Sequence, residues 1–220
     1  MARDFKTRLT RRAAKAGVFL PPDLAASLTA YYELLSRWNQ KINLTSLSDP
    51  DEAIDRLLIE PVLSAKSVDA AQVRNLLDIG SGGGSPAIPL TLALGPHVAL
   101  TMVEVKVRKS AFLREAIRHL ELQNAVVENQ RYEELLARPE LLEQFDLLSI
   151  RAVRVEPRIL MTLQAFLRPG GQMLLFRGPV GPESPGNVLH PLEFDRTVPL
   201  VESLQSRLTL LRKRAIGGVP

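Results

Sequence analysis

Apolar and polar positions in the first part of the chain repeat with the period of a helix. A helix predicted over residues 22–42 has one apolar face, whose residues recur at steps of four and three: Leu24, Leu28, Tyr31, Leu35, Trp38 and Ile42. A second helix is predicted over residues 50–66, and Pro61 is expected to kink or restart it because proline lacks the amide hydrogen of a helical bond. Residues 1–70 are therefore predicted to form a helical, basic N-terminal extension.

From about residue 73 onward, short apolar runs alternate with helical patterns. Strands are predicted over 73–79, 98–103, 125–128, 145–150 and 172–177, with helices over 87–94, 108–122, 132–136 and 157–167. Repeated units of this kind favour a parallel sheet with helices on both faces. The stretch 178–191 is predicted to be a loop, and 192–200 and 207–214 to form an antiparallel pair. We therefore expect an α/β, Rossmann-like domain over residues 71–220, built on a mostly parallel seven-stranded sheet.

The composition is that of a soluble globular protein. Of the 220 residues, 45% are hydrophobic and 24% charged, and no apolar run approaches the roughly 18 residues that span a bilayer. Because the chain has no cysteine, disulfides, thiol nucleophiles and cysteine-based zinc sites are excluded, which suits the cytoplasm. The three histidines lack metal-binding spacing, so no metal is expected.

Positive charge is concentrated at the two ends of the chain, which carries a net charge of +4. The first fifteen residues hold six basic side chains against the single acid Asp4, and a second basic cluster includes Arg207, Arg212, Lys213 and Arg214. Such clusters raise the expectation of a polyanionic partner, and both are candidate contacts for nucleic-acid phosphates. The alternative is a solvated helix face and a frayed tail.

A glycine-rich turn follows the first predicted strand and has the clearest chemistry. The strand carries Asp78 near its end, and the turn places glycines at Gly80, Gly82 and Gly84. The spacing G-x-G-x-G resembles that of class I S-adenosylmethionine methyltransferases, in which this turn passes the methionine end and ribose of the cofactor. A dinucleotide-binding site has the pattern G-x-G-x-x-G, whereas here Ser85 occupies the position of the third glycine. A purely structural turn is the alternative.

Further candidates follow the next three strands. Glu104 ends the second strand, where a carboxylate can accept hydrogen bonds from both ribose hydroxyls. Asp78 would bind the methionyl ammonium directly or through water. Arg131 and Tyr132 follow the third strand, where this fold holds adenine, although a simple helix start is the alternative. Arg151 ends the fourth strand and would bind RNA phosphate or stack on a base, unless it forms a surface ion pair.

Four segments together resemble one family. They are residues 37–46 (RWNQKINLTS), 80–90 (GSGGGSPAIPL), 108–113 (RKSAFL) and 145–153 (FDLLSIRAV). They are similar to signatures of the RsmG (GidB) family, whose members methylate N7 of a guanine in the 530 loop of bacterial 16S ribosomal RNA. The resemblance implies that Gly80, Gly82 and Gly84 line S-adenosylmethionine, with Arg131 and Tyr132 beside its adenine. It also places Asn43 and Arg151 on the guanine side, where they would position the base for catalysis.

The resemblance implies a partner, and it leaves rival interpretations open. The partner would be 16S ribosomal RNA or the small ribosomal subunit. A monomer is expected separately, because the sequence leaves no apolar helix face over for a second subunit. The chain departs from the family at Leu57, where a histidine is usual, and at Ala87, where a glycine is usual. One rival is a class I methyltransferase acting on a small molecule or protein. Another is an RNA-associated protein that binds the cofactor without catalysis, and a nicotinamide oxidoreductase is less favoured.

Overall fold

The computed structural model describes residues 2–45, 49–151, 156–179 and 188–215. Their strands form one sheet in the order β3-β2-β1-β4-β5-β7-β6. Strands β1 to β5 pair in parallel, whereas β7 pairs antiparallel with both β5 and β6. The strands are β1 Asn75–Ile79, β2 Ala99–Val103, β3 Ala125–Glu128, β4 Phe145–Arg151, β5 Leu167–Arg177, β6 Leu192–Pro199 and β7 Arg207–Lys213. The predicted fold, a mostly parallel sheet of seven strands, is confirmed.

Helices precede the sheet and alternate with its parallel strands. The α-helices are α1 Ala2–Lys15, α2 Pro22–Asn39, α3 Pro50–Ile54, α4 Glu60–Ala65, α5 Ala87–Leu94, α6 Val107–His119, α7 Tyr132–Leu135 and α8 Pro157–Leu163. Short 3-10 turns lie at Ala70–Gln72, Pro139–Leu141, Gln164–Phe166 and Glu202–Leu204. Helices α5 to α8 lie where the strand–helix alternation predicts them, and α5 has the predicted ends. Helix α1 was not predicted as a separate element, and the predicted helix over 50–66 is divided into α3 and α4.

The sheet is covered on both faces because successive side chains of a strand point to opposite sides. In β1, Leu76 joins a cluster with residues of α2, α5 and α6, whereas Leu77 joins a second cluster with residues of α7 and α8. The first cluster is the larger and also includes buried residues of α1 and of the segment 53–62. The helices of the predicted N-terminal extension therefore share one core with the sheet.

A π-helical turn, Asp55–Ile59, joins α3 to α4. The wider turn follows from Pro61, which has no amide hydrogen to donate back to the Leu57 carbonyl. The backbone carbonyls of Arg56 and Leu57 accept hydrogen bonds from side chains elsewhere in the protein. Ser85 Oγ donates to the Leu57 carbonyl at 2.8 Å, and the Arg151 guanidinium donates to the Arg56 carbonyl. The expected irregularity at Pro61 thus connects the extension to the carboxyl edge of the sheet.

Two predicted boundaries are wrong in an informative way. The helix predicted to end at 167 ends at Leu163, and β5 begins at Leu167 rather than at 172. The segment 168–171, which carries a proline and two glycines, forms an irregularity within β5, where the register shifts opposite Phe145 and Leu147. Most of the predicted loop 178–191 lies outside the described residues, as do the motif residues after Arg151.

Candidate functional site

The candidate site lies at the carboxyl edge of the parallel strands. The chain places β2 on one side of β1 and β4 on the other, so β1 and β4 flank the point where the strand order reverses. Crevices at such points hold the ligands of open α/β sheets. The predicted residues Asp78, Glu104 and Arg151 all lie at or near the carboxyl ends of these three strands.

The glycine turn is fastened to β2 by its backbone. The amides of Gly80 and Ser81 both donate to the Val103 carbonyl, at 2.9 and 3.0 Å. Gly80, Gly82 and Gly84 have φ angles of +74°, +54° and +85°, a region that side-chain-bearing residues rarely adopt. A Cβ on Gly82 would meet nothing nearer than the Gly80 carbonyl at 3.7 Å. The other neighbour of such a Cβ is the Lys109 ammonium, at 4.0 Å, so only ordinary van der Waals contacts border Gly82.

Glu104 sits against this turn and is only 6% exposed. Its carboxylate accepts from the Gly82 amide at 2.9 Å and from the Lys106 amide at 2.8 Å. Its backbone carbonyl accepts from Asn129 Nδ2 at 2.8 Å, which ties β2 to the end of β3. The side chain is thus held in one orientation beside Gly82.

Asp78 is a buried acid, and one of its carboxylate oxygens has no hydrogen-bond partner among the described residues. Ser149 Oγ, on the neighbouring strand β4, donates to Asp78 Oδ1 at 2.5 Å. Among the described residues, Oδ2 has no hydrogen-bond partner. Burial raises the pKa of Asp78 to about 6. A buried carboxylate oxygen without a partner is costly, so this oxygen suits a cationic or hydrogen-bonding ligand group.

The segment that follows α2, which includes Leu44 and Thr45, packs against the glycine turn. The Asn39 side chain accepts from the amides of Leu44 and Thr45, at 2.8 and 2.9 Å. A Cβ on Gly83 would lie 3.3 Å from the Leu44 carbonyl, and the Tyr31 hydroxyl donates to the Gly83 carbonyl at 2.5 Å. The role of Tyr31 was missed from the sequence, which showed only its place on the apolar face of α2.

Arg151 forms a buried ion pair rather than a surface one. Its guanidinium lies 2.9 Å from Glu60 Oε2, and the side chains of Arg151 and Glu60 are 13% and 3% exposed. It donates to Ser85 Oγ at 3.3 Å and lies 4.6 Å from the centre of the Phe176 ring. Burial lowers the pKa of Arg151, which Glu60 partly offsets. Glu60 was missed because nothing in the local sequence links it to Arg151.

The other predicted site residues border the crevice. Asn43 is exposed and immediately precedes Leu44, which packs on Gly83. Arg131 is exposed at the start of α7, where its amide donates to Glu134 at 3.3 Å. Tyr132 packs partly against the second core cluster. The described contacts bring Asp78, Glu104, Arg151 and the glycines together, and they do not link Arg131 or Tyr132 to the turn.

The departures from the family pattern have local explanations. Ala87 is the first residue of α5 and is not among the positions of positive φ, so no glycine is needed there. Leu57 is 8% exposed, and its carbonyl holds Ser85 at the glycine turn. The substituted side chain therefore leaves the backbone contact at this position intact.

Several basic residues proposed as phosphate contacts have other partners. Arg8 pairs with Asp51 at 2.5 Å, and Arg12 forms a two-pronged pair with Asp55. Lys213 is 5% exposed and binds Glu143 and two backbone carbonyls. These three side chains thus already have partners within the protein, and their contact with phosphates stays a prediction.

Two general properties concern the described residues as a whole. Within them, no helix is both long and apolar enough to cross a membrane. The same part of the chain contains no group of three or more histidine, aspartate or glutamate side chains arranged to hold a metal ion.

Comparisons with known proteins agree with this geometry. Residues 24–183 match the family model described as rRNA small subunit methyltransferase G. The protein of that name from Xanthomonas axonopodis pv. citri (strain 306) is 39% identical over 154 residues, which covers 70% of this chain and 69% of that one. Its namesake from Stenotrophomonas maltophilia (strain K279a) is 37% identical over 163 residues, covering 74% and 73%.

Solved structures share the fold at low sequence identity. A SAM dependent methyltransferase from Aquifex aeolicus superposes with a TM-score of 0.55 at 13% identity, covering 77% of this chain and 95% of that one. The mitomycin 7-O-methyltransferase MmcR gives 0.57 at 16% identity, covering 88% and 74%. By its sequence and its fold, this chain belongs to the rRNA small subunit methyltransferase G (GidB) family of S-adenosylmethionine-dependent methyltransferases.

Proposed function

We propose that this protein transfers a methyl group from S-adenosylmethionine to N7 of a guanine in the 530 loop of 16S ribosomal RNA. The observation that supports this most directly is the match of residues 24–183 to the family, joined to a crevice with the expected acids. Glu104 accepts from the amide of Gly82, where a Cβ would meet no atom nearer than 3.7 Å, and Asp78 has a buried oxygen without a partner among the described residues.

The residues around the crevice fit the cofactor. Glu104 would accept hydrogen bonds from the ribose hydroxyls, exchanging the Gly82 amide for a ligand group. Asp78 Oδ2 would accept a hydrogen bond from the methionyl ammonium, which would offset the free-energy cost of burying that carboxylate. Gly82 leaves room for the close approach of the ligand to the backbone. Arg131 and Tyr132 would lie beside the adenine.

The proposed reaction requires the protein mainly to position the methyl donor and guanine N7. The bound cofactor supplies an electrophilic methyl group on a sulfonium. Guanine N7 carries a lone pair and no proton, so the protein needs no general base. Alignment alone can contribute on the order of 7–11 kcal/mol to such a step. We assign that alignment to Asn43, exposed at the rim, and to Arg151, whose contact with Ser85 fixes the adjoining turn.

Methyl transfer from labelled S-adenosylmethionine tests the proposal. The acceptors are 16S ribosomal RNA and small subunits that lack the modification, and the methylated base is mapped. We expect one N7-methylguanine in the 530 loop. Labelling of a protein or small molecule, with the RNA unlabelled, would refute the proposed acceptor. Cofactor binding without transfer to any acceptor would instead indicate a protein that binds but does not catalyse.

A matched pair of variants tests the cofactor site separately. Glu104→Gln removes the charge and one acceptor, so the Kd for S-adenosylmethionine should rise about 10- to 100-fold, as expected for a lost charge-assisted hydrogen bond. Glu140→Gln makes the same change in an exposed ion pair with Arg138 and should leave this Kd unchanged. Equal Kd values for both variants would exclude Glu104 from the site.

Three further properties belong to the same proposal. We propose that the protein acts as a monomer, because the RNA must reach the carboxyl edge of the sheet without obstruction. We also propose that it works in the cytoplasm, where ribosomal subunits are assembled, and that the reaction needs no metal, because guanine N7 needs no activation.

A further inference from the structure

A cleft of about 700 Å³ opens beside the crevice, between the end of α2 and the first turns of α6. Its volume lies within the range of ordinary ligand pockets. Ile42 lines the cleft, and the following residues, Asn43 and Leu44, lead directly to the glycine turn. The cleft is therefore a neighbour of the proposed guanine position, and none of the roles assigned above uses it.

The lining of the cleft carries a surplus of positive charge. Arg37, Lys41 and Arg108 line it; within the described part of the chain they form no ion pair or side-chain hydrogen bond, and Arg37 interacts with Glu115 only through its charge. The acid in the lining is Glu115, which is held by two hydrogen bonds from Arg118, at 2.6 and 3.2 Å. Glu115 is thus already neutralised, and the cleft favours an anionic ligand.

Trp38 gives the same cleft an aromatic wall. Its ring is partly buried and meets the fully buried Phe112 edge to face, with ring centres 5.7 Å apart and an angle of 63° between the planes. This contact fixes the indole while part of it stays accessible to the cleft. An oriented aromatic ring among basic side chains is the usual arrangement for binding unpaired nucleotides, with the base stacked and the phosphates paired.

We propose that this cleft binds one unstacked nucleotide of the substrate RNA, next to the target guanine. The base would lie against Trp38, and Lys41, Arg37 and Arg108 would bind the flanking phosphates. The inference rests on the proposed function, because it assumes that the acceptor is RNA. It adds a second recognition site, outside the reaction centre, that selects an opened loop over a paired helix.

The protein contains a single tryptophan, so its fluorescence reports on this cleft alone. The wild-type protein is titrated with a synthetic RNA hairpin that carries the unmodified 530 loop. We expect saturable quenching of the emission, with affinity that falls as salt rises. Lys41→Glu should raise the Kd on the order of tenfold and reduce the slope of log K against log salt by at least about 0.7, the value for one phosphate contact. Lys41→Arg should retain most of the affinity.

Arg74→Glu is the matched control. Arg74 is exposed, forms no described ion pair, and precedes β1 at the opposite edge of the sheet. It makes the same change in net charge and should alter the Kd less than twofold. The proposal is overturned if Lys41→Glu and Arg74→Glu behave alike, if RNA binds without changing the emission, or if the hairpin does not bind. Quenching by the hairpin together with no methyl transfer to 16S ribosomal RNA or to small subunits would refute the proposed function and leave the cleft as an RNA-binding site only.

Discussion

The buried pair between Glu60 and Arg151 should be a principal support of the site. Glu60→Gln would leave the Arg151 charge buried without a counter-ion, and loss of one partner of such a pair costs about 3–5 kcal/mol. We expect the lower end of this range, because the Arg56 carbonyl and the Ser85 hydroxyl still accept from the guanidinium. At about 2–4 °C per kcal/mol, the midpoint of thermal unfolding should fall by roughly 6–12 °C.

Two control variants separate this explanation from a general effect of removing a carboxylate. Glu140→Gln breaks an exposed pair with Arg138 and should change stability by less than about 1 kcal/mol. The double variant Glu60→Gln/Arg151→Met removes both charges and should recover most of the lost stability. Chemical denaturation of the purified protein measures all three free energies of unfolding. A loss for Glu60→Gln no larger than that for Glu140→Gln would refute the reasoning.

Three other predictions concern single contacts. Because burial raises the pKa of Asp78 to about 6, folding binds a proton there between about pH 4 and 6, so this group's contribution to stability falls as pH rises through that window. Cofactor affinity should fall up to tenfold per pH unit below 6, and Asp78→Asn should abolish that dependence in calorimetric titrations. Gly82→Ala and Gly17→Ala, both at positive φ and with no atom nearer than 3.7 Å to the added Cβ, should lose similar stability of about 1 kcal/mol, but only Gly82→Ala should weaken cofactor binding. Asp55→Asn should cost about 1.5–3 kcal/mol by loosening Arg12, with faster amide exchange in α1 as the direct measurement.

The sequence predicts best where a local signal marks an element. The helix α5 has the predicted ends, 87–94, because Gly95 adopts a φ of +114° directly after it. The sequence predicts poorly where contacts between residues that are far apart in the chain determine the structure. The irregular start of β5 depends on Gly171, where a Cβ would lie 2.9 Å from one backbone carbonyl and 3.0 Å from another. Likewise, no local pattern shows that Arg151, at the end of β4, has a buried partner, because that partner, Glu60, lies far away in the sequence on α4.

Residues 37–46, one of the four segments that resemble the family, support the glycine turn through direct contacts. Asn39 fixes the backbone at Leu44, and Leu44 packs on Gly83, whose carbonyl also accepts from Tyr31. The Gly83 peptide is thus held from below by α2 and its following loop, while the neighbouring amide of Gly82 faces Glu104. A change in the α2 segment would therefore move the turn that we propose lines the cofactor. The exposed Asn43 and the partly buried Trp38 are the residues of this segment that we propose contact RNA, so the proposed cofactor and acceptor sites share one short segment.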